Sequence, residues 1–384
     1  MTPLCLSRRR LLRVAALAAG ASAASMLAAC GSATARTPIP PSARAAATAA
    51  LPTTAAVGAS ATTGSPAAGA PPVAAAGKAQ FTFKLSSSLA QGDNELWVFA
   101  SKFAELVGQK TGGKIRIENF PNNQLGEEAQ VIQQVKLGTV DIFTGGLAIW
   151  ASLVPEVAVM DMGYLIDDID HLGRVLDGAA GQQLAKLVLD KAQAQIVGWG
   201  YSYGFRNVLS RNPVKTPDNL HGLKIRVLPN PNYVATLKLM GASPSPIAFG
   251  EIYTSLQTGV IDALEHNAPT ILTSKFYEVA KNLTLTQHII GPVVAVIGKQ
   301  KLDQLPQDLR TPFLSAATEA MTYQRGREHV IENDAFKSLE GFGVTTYPID
   351  RAALRKKVEP LWTEFTQKYP STKPILDAIE QARK

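Results

Sequence analysis

From Gln80 onward the chain alternates between segments with the periodicity of β-strands and segments with the periodicity of α-helices. Residues 81–85 carry an apolar residue at every second position, and residues 96–107 carry apolar residues at helical spacing. A strand pattern returns at 115–117, and a helix is predicted over 127–137. Strands that alternate with helices predict an α/β architecture, because helices then cover the faces of the sheets.

The same alternation continues to the C-terminus. Residues 306–340 are mostly good helix formers at helical spacing, and two further helices are predicted after 350. Predicted strands lie between the helices, near 140–145, 195–200, 223–227, 245–249, 260–264, 288–299 and 343–349.

Residues 1–29 have the layout of an export signal. The basic segment SRRRLLR at 7–13 precedes an Ala-rich apolar run that ends in LAAC at 27–30. SRRRLLR resembles the twin-arginine signal, and LAAC resembles the bacterial lipobox, in which the cysteine receives the lipid. The uncharged run over 14–29 is too short to span a membrane comfortably. We therefore expect cleavage before Cys30 and lipidation of Cys30.

Residues 30–79 are predicted to form a disordered tether. After Cys30 they are dominated by Ala, Thr, Ser, Pro and Gly, with no aromatic and no acidic residue. Such a composition buries too little apolar surface to offset the entropy of ordering.

The charge and cysteine content narrow the function. Four arginines lie within residues 1–29, so their removal lowers the formal net charge from +7 to +3, and no nucleic-acid partner is expected. The two cysteines are Cys5 and Cys30, so the exported chain would have no intrachain disulfide.

Catalytic and metal-binding patterns are weak. The segment GYSYG at 200–204 matches a nucleophile elbow around Ser202, with Asp262 and His288 in the chain order of a hydrolase triad. The elbow requires a helix directly after the serine, whereas β-forming residues and Pro213 follow here. The five histidines show no H-x-x-x-H pairing, so neither a metal site nor a cofactor is expected.

Polar residues at the ends of predicted strands and loops are the remaining candidates. In HGLKIRVLPNP at 221–231, Arg226 alternates with aliphatic residues and precedes the break at Pro229 and Pro231. From the residues alone, each candidate is either a solvated loop end or a ligand contact; the others are Glu127, Glu128, Arg206, Glu265, His266 and Asn267.

Over residues 80–384 the chain resembles the solute-binding proteins of tripartite ATP-independent periplasmic (TRAP) transporters, of the dicarboxylate-binding type. The resemblance rests on segments that occur in order: TGGKIRIENFPNNQLGEEAQVIQQVKLGTVDI, GFRN, PDNLHGLKIRV, MGASPSPIAFGEIYTSLQTGVIDALEHNAPT and FYEVAKNLTLTQH.

The resemblance implies a two-lobed, periplasmic-binding-protein-like α/β fold with a hinged cleft. Strands would cross between the lobes, and a long helix would span both. We expect lobe 1 to comprise 80–205 and 288–330, and lobe 2 to comprise 206–287 and 331–384.

The resemblance also implies a set of ligand contacts. Arg226 matches the arginine that pairs with the ligand carboxylate, and Arg206 matches a second, assisting arginine. Phe249 matches an aromatic residue that packs on the ligand. The segment VIDALEHN has His266 where the family usually has a contacting Asn, so His266 and Asn267 are both candidates. Glu265, Glu127 and Glu128, which are candidates by their positions at strand and loop ends, complete the expected set.

We therefore expect a membrane-anchored lipoprotein, in the periplasm or at the cell surface, that is not an enzyme. It would capture a small organic acid and deliver it to the membrane subunits of a permease driven by an ion gradient. A dicarboxylate, a sugar acid, an aromatic acid and a 2-oxo acid all stay open as ligands. The alternatives are a binding protein or sensor of another uptake system and an exported serine hydrolase.

Overall fold

The computed structural model describes residues 79–383. The predicted export signal, the predicted lipidation site Cys30 and the tether up to residue 78 lie outside the described residues.

Within residues 79–383, eleven strands form two mixed sheets. The first sheet has the order β2-β1-β3-β10-β4, and the second has the order β11-β9-β5-β8-β6-β7. The strands are β1 (Phe81–Ser86), β2 (Ile115–Phe120), β3 (Ile142–Gly146), β4 (Ala194–Tyr201), β5 (Arg206–Ser210), β6 (Lys224–Val227), β7 (Ser243–Pro246), β8 (Ala263–His266), β9 (Asn282–Ile289), β10 (Pro292–Gly298) and β11 (Thr345–Tyr347).

Helices connect the strands, as the alternating sequence pattern predicts. None of the described helices is long and apolar enough to cross a membrane. The helices are α1 (Glu95–Lys110), α2 (Glu128–Leu137), α3 (Ile169–Asp177), α4 (Ala179–Ala192), α5 (Pro231–Leu239), α6 (Ile252–Thr258), α7 (Ala268–Thr273), α8 (Lys299–Asp303), α9 (Gln307–Arg325), α10 (Glu328–Gly341), α11 (Arg351–Val358), α12 (Pro360–Lys368) and α13 (Lys373–Gln381).

The start of α1 is fixed by its sequence and by packing. Asn94 caps the helix, because its side-chain oxygen accepts the N–H groups of Leu96 and Trp97 at 3.2 and 3.0 Å. The body of the helix is buried through stacked Phe99 and Phe103, and Phe313 of α9 meets the ring of Phe103 edge-on at 5.3 Å. This packing holds the first turn of α1 in place at the cavity described below.

The chain passes between the two sheets three times, and the three connections lie side by side. They are residues 202–205 after β4, residues 290–291 after β9, and residues 326–327 between α9 and α10. The N–H of Ser202 donates to the carbonyl of Gly291 at 3.1 Å, and the Tyr203 hydroxyl donates to the carbonyl of Gln324 at 2.9 Å. A set of adjacent, short connections is the arrangement that permits hinge motion.

The α/β class is confirmed, but two expected elements differ in detail. The long helix over 306–340 is divided at Gly326. Helix α9, before this residue, packs on α1 and β4, whereas α10, after it, packs on α7. Glycine is a weak helix former, and the change of packing partner occurs at this residue. The strands also end at the crossings, so short connections rather than continuous strands pass between the sheets.

The C-terminal segment is shared between the two sheets. Strand β11 pairs with β9 of the second sheet, whereas α13 packs against α4, which also contacts β4 of the first sheet. Three helices rather than the expected two follow β11. The predicted boundaries of the lobes stay a prediction.

Candidate functional site

A cavity of about 60 Å³ lies where elements of the two sheets meet, next to the crossings after β4 and β9. Its polar wall combines two arginines from the second sheet with three carboxyl groups from other segments. The lining residues are Ser88, Leu89, Glu95, Leu96, Glu128, Gly146, Ala148, Asp161, Ser202, Arg206, Arg226, Leu228, Tyr233, Phe249, His266, Gly291, Pro292 and Val293.

Arg226 is a buried cation of this wall whose terminal nitrogens have no hydrogen-bond partner among the described residues. It lies on β6, between β8 and β7, and only 1% of its surface is exposed, whereas Lys224 on the same strand is exposed. Its Nε donates to the carbonyl of Ile247 at 2.9 Å, but neither Nη1 nor Nη2 has a partner among residues 79–383. Burial lowers the pKa of Arg226 to about 10, so it stays charged at neutral pH. Two parallel N–H donors are therefore free to bind a carboxylate.

Arg206 is a second buried cation, but it already has an anionic partner. Its Nε donates to Glu265 Oε2, and its Nη2 donates to Glu265 Oε1 at 3.0 Å and to the Glu265 carbonyl at 2.8 Å. The guanidinium also lies 5.2 Å from the ring centre of Tyr233. Burial alone would raise the pKa of Glu265, but the charge and hydrogen bonds of Arg206, with His288 Nε2 3.5 Å from Oε2, hold it well below its usual range.

Three carboxyl groups line the cavity, and each accepts one hydrogen bond from a neutral donor. Glu95 accepts from Asn267 Nδ2, Glu128 from Ser88 Oγ, and Asp161 from Asn230 Nδ2, each at 2.8 Å. Glu95 Oε2 and Asp161 Oδ1 are buried with no partner in the described part of the chain. Burial raises the pKa of all three groups, and that of Asp161 rises to about 8.

Phe249 and His266 contribute two neighbouring aromatic rings to the lining of the cavity. The two rings meet edge-on with centroids 5.9 Å apart, and Phe249 meets Phe276 in the same way. Burial and the nearby Arg206 lower the pKa of His266, so its ring is neutral. Because His266 Nδ1 accepts the N–H of Asn267 at 3.0 Å, the proton of the neutral ring belongs on Nε2.

Three of the predicted ligand contacts do not line the cavity in this structure. Asn267 is fully buried because it caps α7 through the N–H of Thr270. Glu265 lies behind Arg206, since its carboxylate is occupied by that arginine. Glu127 precedes α2 and accepts from Asn123 Nδ2 at 3.1 Å. The structure does place Arg226, Arg206, Phe249, His266 and Glu128 together.

The sequence prediction missed Glu95, Asp161 and Tyr233. A signal existed for Glu95, because it follows the helix cap Asn94 in the connection after the first strand. Asp161 ends an irregular 3-10 segment, and the sequence has no periodicity there that could have indicated its position.

The structure shows no hydrolase geometry around Ser202. Its Oγ accepts a hydrogen bond from Asn267 Nδ2 at 2.9 Å, while His288 Nδ1 contacts Thr286 Oγ1. GYSYG is followed by strand β5 rather than by a helix, so no nucleophile elbow is present within the described residues. No group of three His, Cys, Asp or Glu residues that could hold a metal ion occurs in the same range.

Comparisons with known proteins agree with this geometry. The sequence pattern of bacterial extracellular solute-binding protein family 7 matches residues 86–368. The chain is 33% identical over 315 residues to the 2,3-diketo-L-gulonate-binding periplasmic protein YiaO of Escherichia coli, covering 80% of this chain and 93% of that one. It is 32% identical over 298 residues to the sialic acid-binding periplasmic protein SiaP of Vibrio cholerae, covering 76% and 90%.

Solved structures show the same fold. The TRAP periplasmic solute-binding protein of Roseobacter denitrificans with bound β-D-glucuronate has a TM-score of 0.74 and 30% identity, covering 78% of this chain and 98% of that one. The TRAP periplasmic solute-binding protein of Polaromonas, bound to D-erythronate, gives the same four values.

Proposed function

Because the chain belongs to bacterial extracellular solute-binding protein family 7, the binding proteins of TRAP transporters, we propose that it captures a small organic acid through Arg226. The family consists of transporter binding proteins, so the chain is not an enzyme, and the hydrolase alternative is wrong. The acid would then be delivered to the membrane subunits of a TRAP transporter.

One observation supports this role above all others. Arg226 is a permanent cation, 1% exposed, with two terminal nitrogens that have no partner among the described residues. An unpaired buried charge destabilises the empty protein unless a ligand compensates it. A carboxylate matches the planar fork of a guanidinium through two parallel hydrogen bonds. Arg206 would be the second cation, and Phe249 would pack on the carbon skeleton.

The names of the relatives support the same ligand class. The proteins compared above are described as binding 2,3-diketo-L-gulonate, sialic acid, β-D-glucuronate or D-erythronate, all of which are carboxylic acids. The carboxylate is therefore the feature that we expect this chain's ligand to share with them.

A thermal-shift screen tests the proposed function. Organic acids would be compared with neutral sugars and alcohols of the same size. An acid at 100 times its Kd adds about 2.7 kcal/mol to the free energy of unfolding, which gives a clear rise in melting temperature. Stabilisation by neutral compounds alone would contradict the proposal.

We further propose that lobe 1 (80–205 and 288–330) and lobe 2 (206–287 and 331–384) close over the acid. The three adjacent crossings and the cavity beside them support this motion. Small-angle scattering should therefore show a smaller radius of gyration with saturating acid than without it. The neutral analogue of the acid is the matched control, and superimposable curves with and without acid would argue against closure.

The location of the protein is proposed on sequence grounds. Cys30 at the end of LAAC would receive lipid after export by the twin-arginine route, and residues 31–79 would tether the binding domain to the membrane. Cys30→Ala should shift the protein from the membrane fraction to the soluble fraction or leave the precursor unprocessed. The matched control is Cys5→Ala, because Cys5 lies within the predicted signal. An alanine variant that fractionates and migrates like the parent would refute the lipid anchor.

A further inference from the structure

The cationic and the carboxyl side chains of the cavity come from different parts of the fold. The arginines, Arg206 and Arg226, come from strands β5 and β6 of the second sheet. The three carboxyl groups come from α1, α2 and the 3-10 segment Pro155–Asp161, and they are Glu95, Glu128 and Asp161. A bound molecule therefore meets cationic donors at one part of its surface and carboxyl oxygens at another.

The carboxyl groups are not used to neutralise the arginines. Within residues 79–383, none of the three lies within 4.0 Å of a guanidinium nitrogen of Arg206 or Arg226. Each is held instead by a neutral side chain, an asparagine or a serine. Glu95 Oε2 and Asp161 Oδ1 are left buried without a partner. Buried acceptors without partners are costly, so they are expected to be satisfied when the cavity is filled.

We infer that the ligand is a polyhydroxylated monocarboxylate, a sugar acid, whose carboxylate binds Arg226 and whose hydroxyl groups bind Glu95, Glu128 and Asp161. This inference rests on the proposed function, because it places the carboxylate of the acid on Arg226. It goes further by naming which class of acid the site selects.

The hydrogen-bonding capacity of the ligand explains the selection. A hydroxyl group both donates and accepts, so it can bind a carboxyl group in either protonation state. A second carboxylate on the ligand can only accept, so a carboxyl group of the cavity that is ionised would repel it, and only one that is protonated could bind it. An acid with an alkyl chain would leave the carboxyl oxygens without donors. The site should therefore discriminate against dicarboxylates and against simple fatty acids.

Calorimetry with acids of matched carbon number tests the inference. One series is D-erythronate, succinate and butyrate, and the other is D-glucuronate, adipate and hexanoate. In at least one series the hydroxylated monoacid should bind the parent protein about tenfold or more tightly than the other two. Tighter binding of the diacid or the alkyl acid would overturn the inference and leave the proposed function standing. Binding of no acid here or in the wider screen would contradict the proposed function itself.

The three carboxyl groups Glu95, Glu128 and Asp161 are called the carboxyl wall here. A substitution in this wall gives a second, independent test of the inference. Glu128→Gln keeps the size of the side chain and an acceptor for Ser88, but it adds an N–H donor and removes the charge. The hydroxy acid should bind less tightly and the diacid more tightly, so that their affinity ratio falls about tenfold. Glu105→Gln, an exposed position on α1, is the control and should leave the ratio unchanged. If Glu128→Gln weakened both acids equally, Glu128 would act through the fold alone and the inference would be wrong.

Discussion

Arg226→Ala should weaken binding of the acid by roughly 30-fold to several thousand-fold. Removing one partner of a buried, hydrogen-bonded charge pair costs about 2 to 5 kcal/mol, and here the ligand carboxylate would lose both of its donors. Arg226→Lys should also bind poorly, because an ammonium group cannot form two parallel hydrogen bonds in the fixed geometry of a guanidinium. Calorimetry with the acid found in the screen measures both variants.

Lys224→Ala is the matched control for this prediction. Lys224 lies on the same strand and on the same side by strand periodicity, but it is exposed, so its removal should change the binding free energy by less than about 1 kcal/mol. Equal losses in the two alanine variants would indicate a general electrostatic effect rather than a specific pair.

The stability of the ligand-free protein separates a binding role from a structural one. Arg226→Met keeps an apolar stem but removes a buried charge whose Nη1 and Nη2 have no partner in the described range. The variant should therefore unfold at a higher temperature than the parent when no ligand is present. A lower unfolding temperature would show that Arg226 stabilises the empty fold.

Glu265→Gln should destabilise the fold itself. Glu265 is fully buried and accepts two hydrogen bonds on its carboxylate from Arg206, so the substitution leaves a buried guanidinium without its counter-charge. Breaking a buried pair in this way costs about 3 to 5 kcal/mol, and chemical denaturation at neutral pH measures the loss. Asp177→Asn removes the carboxylate from the exposed pair with Arg325 and should cost less than about 1 kcal/mol.

The pH dependence of the same variant has a definite sign. The pKa of Glu265 is lower in the folded protein than in the unfolded chain, so its contribution to stability is present at neutral pH. The contribution is lost as the pH falls below the unfolded value of about 4.3, because the unfolded chain then binds the proton first. The stability difference between parent and Glu265→Gln should therefore shrink on acidification. A difference that is constant with pH would show that the pair with Arg206 is not ionic.

The sequence predicted the strand of Arg226 correctly but could not predict how deeply that strand is buried. The alternation of side chains along a strand puts Arg226 on the opposite face from Ile225, and the prolines after Val227 indicate where the strand ends. Pairing of β6 with both β8 and β7 then places it inside the sheet. This pairing joins segments that are distant in the chain, and it brings Arg226 to the cavity while Lys224, at the other end of the strand, stays exposed.

His266 and Asn267 show a local signal that was available but not used. Asn267 is followed by Ala268 and Pro269, which is the pattern of a helix cap with proline in the first turn. That pattern assigns the Asn267 side chain to α7 and leaves His266, the last residue of β8, at the cavity.

The assembly of the three carboxyl groups into one wall is the part of the site that the sequence could not predict. Glu95, Glu128 and Asp161 belong to three separate connections, and no shared periodicity relates them. Their proximity depends on how the segments between the strands pack. The resemblance indicated the arginines, and Glu128 was a candidate from its position in the sequence, whereas Glu95 and Asp161 were not predicted.

We propose that the carboxylate of the ligand, held by Arg226, is the anchor of recognition. Calorimetry of the parent protein with the acid from the screen and with its neutral carboxamide tests this most directly. The two compounds have the same size, but only the acid has a charged group with two equivalent acceptor oxygens for the guanidinium. We predict that the carboxamide binds at least about 30-fold more weakly, a difference of about 2 kcal/mol. Equal affinity for the acid and its carboxamide would show that the site does not recognise a charged carboxylate.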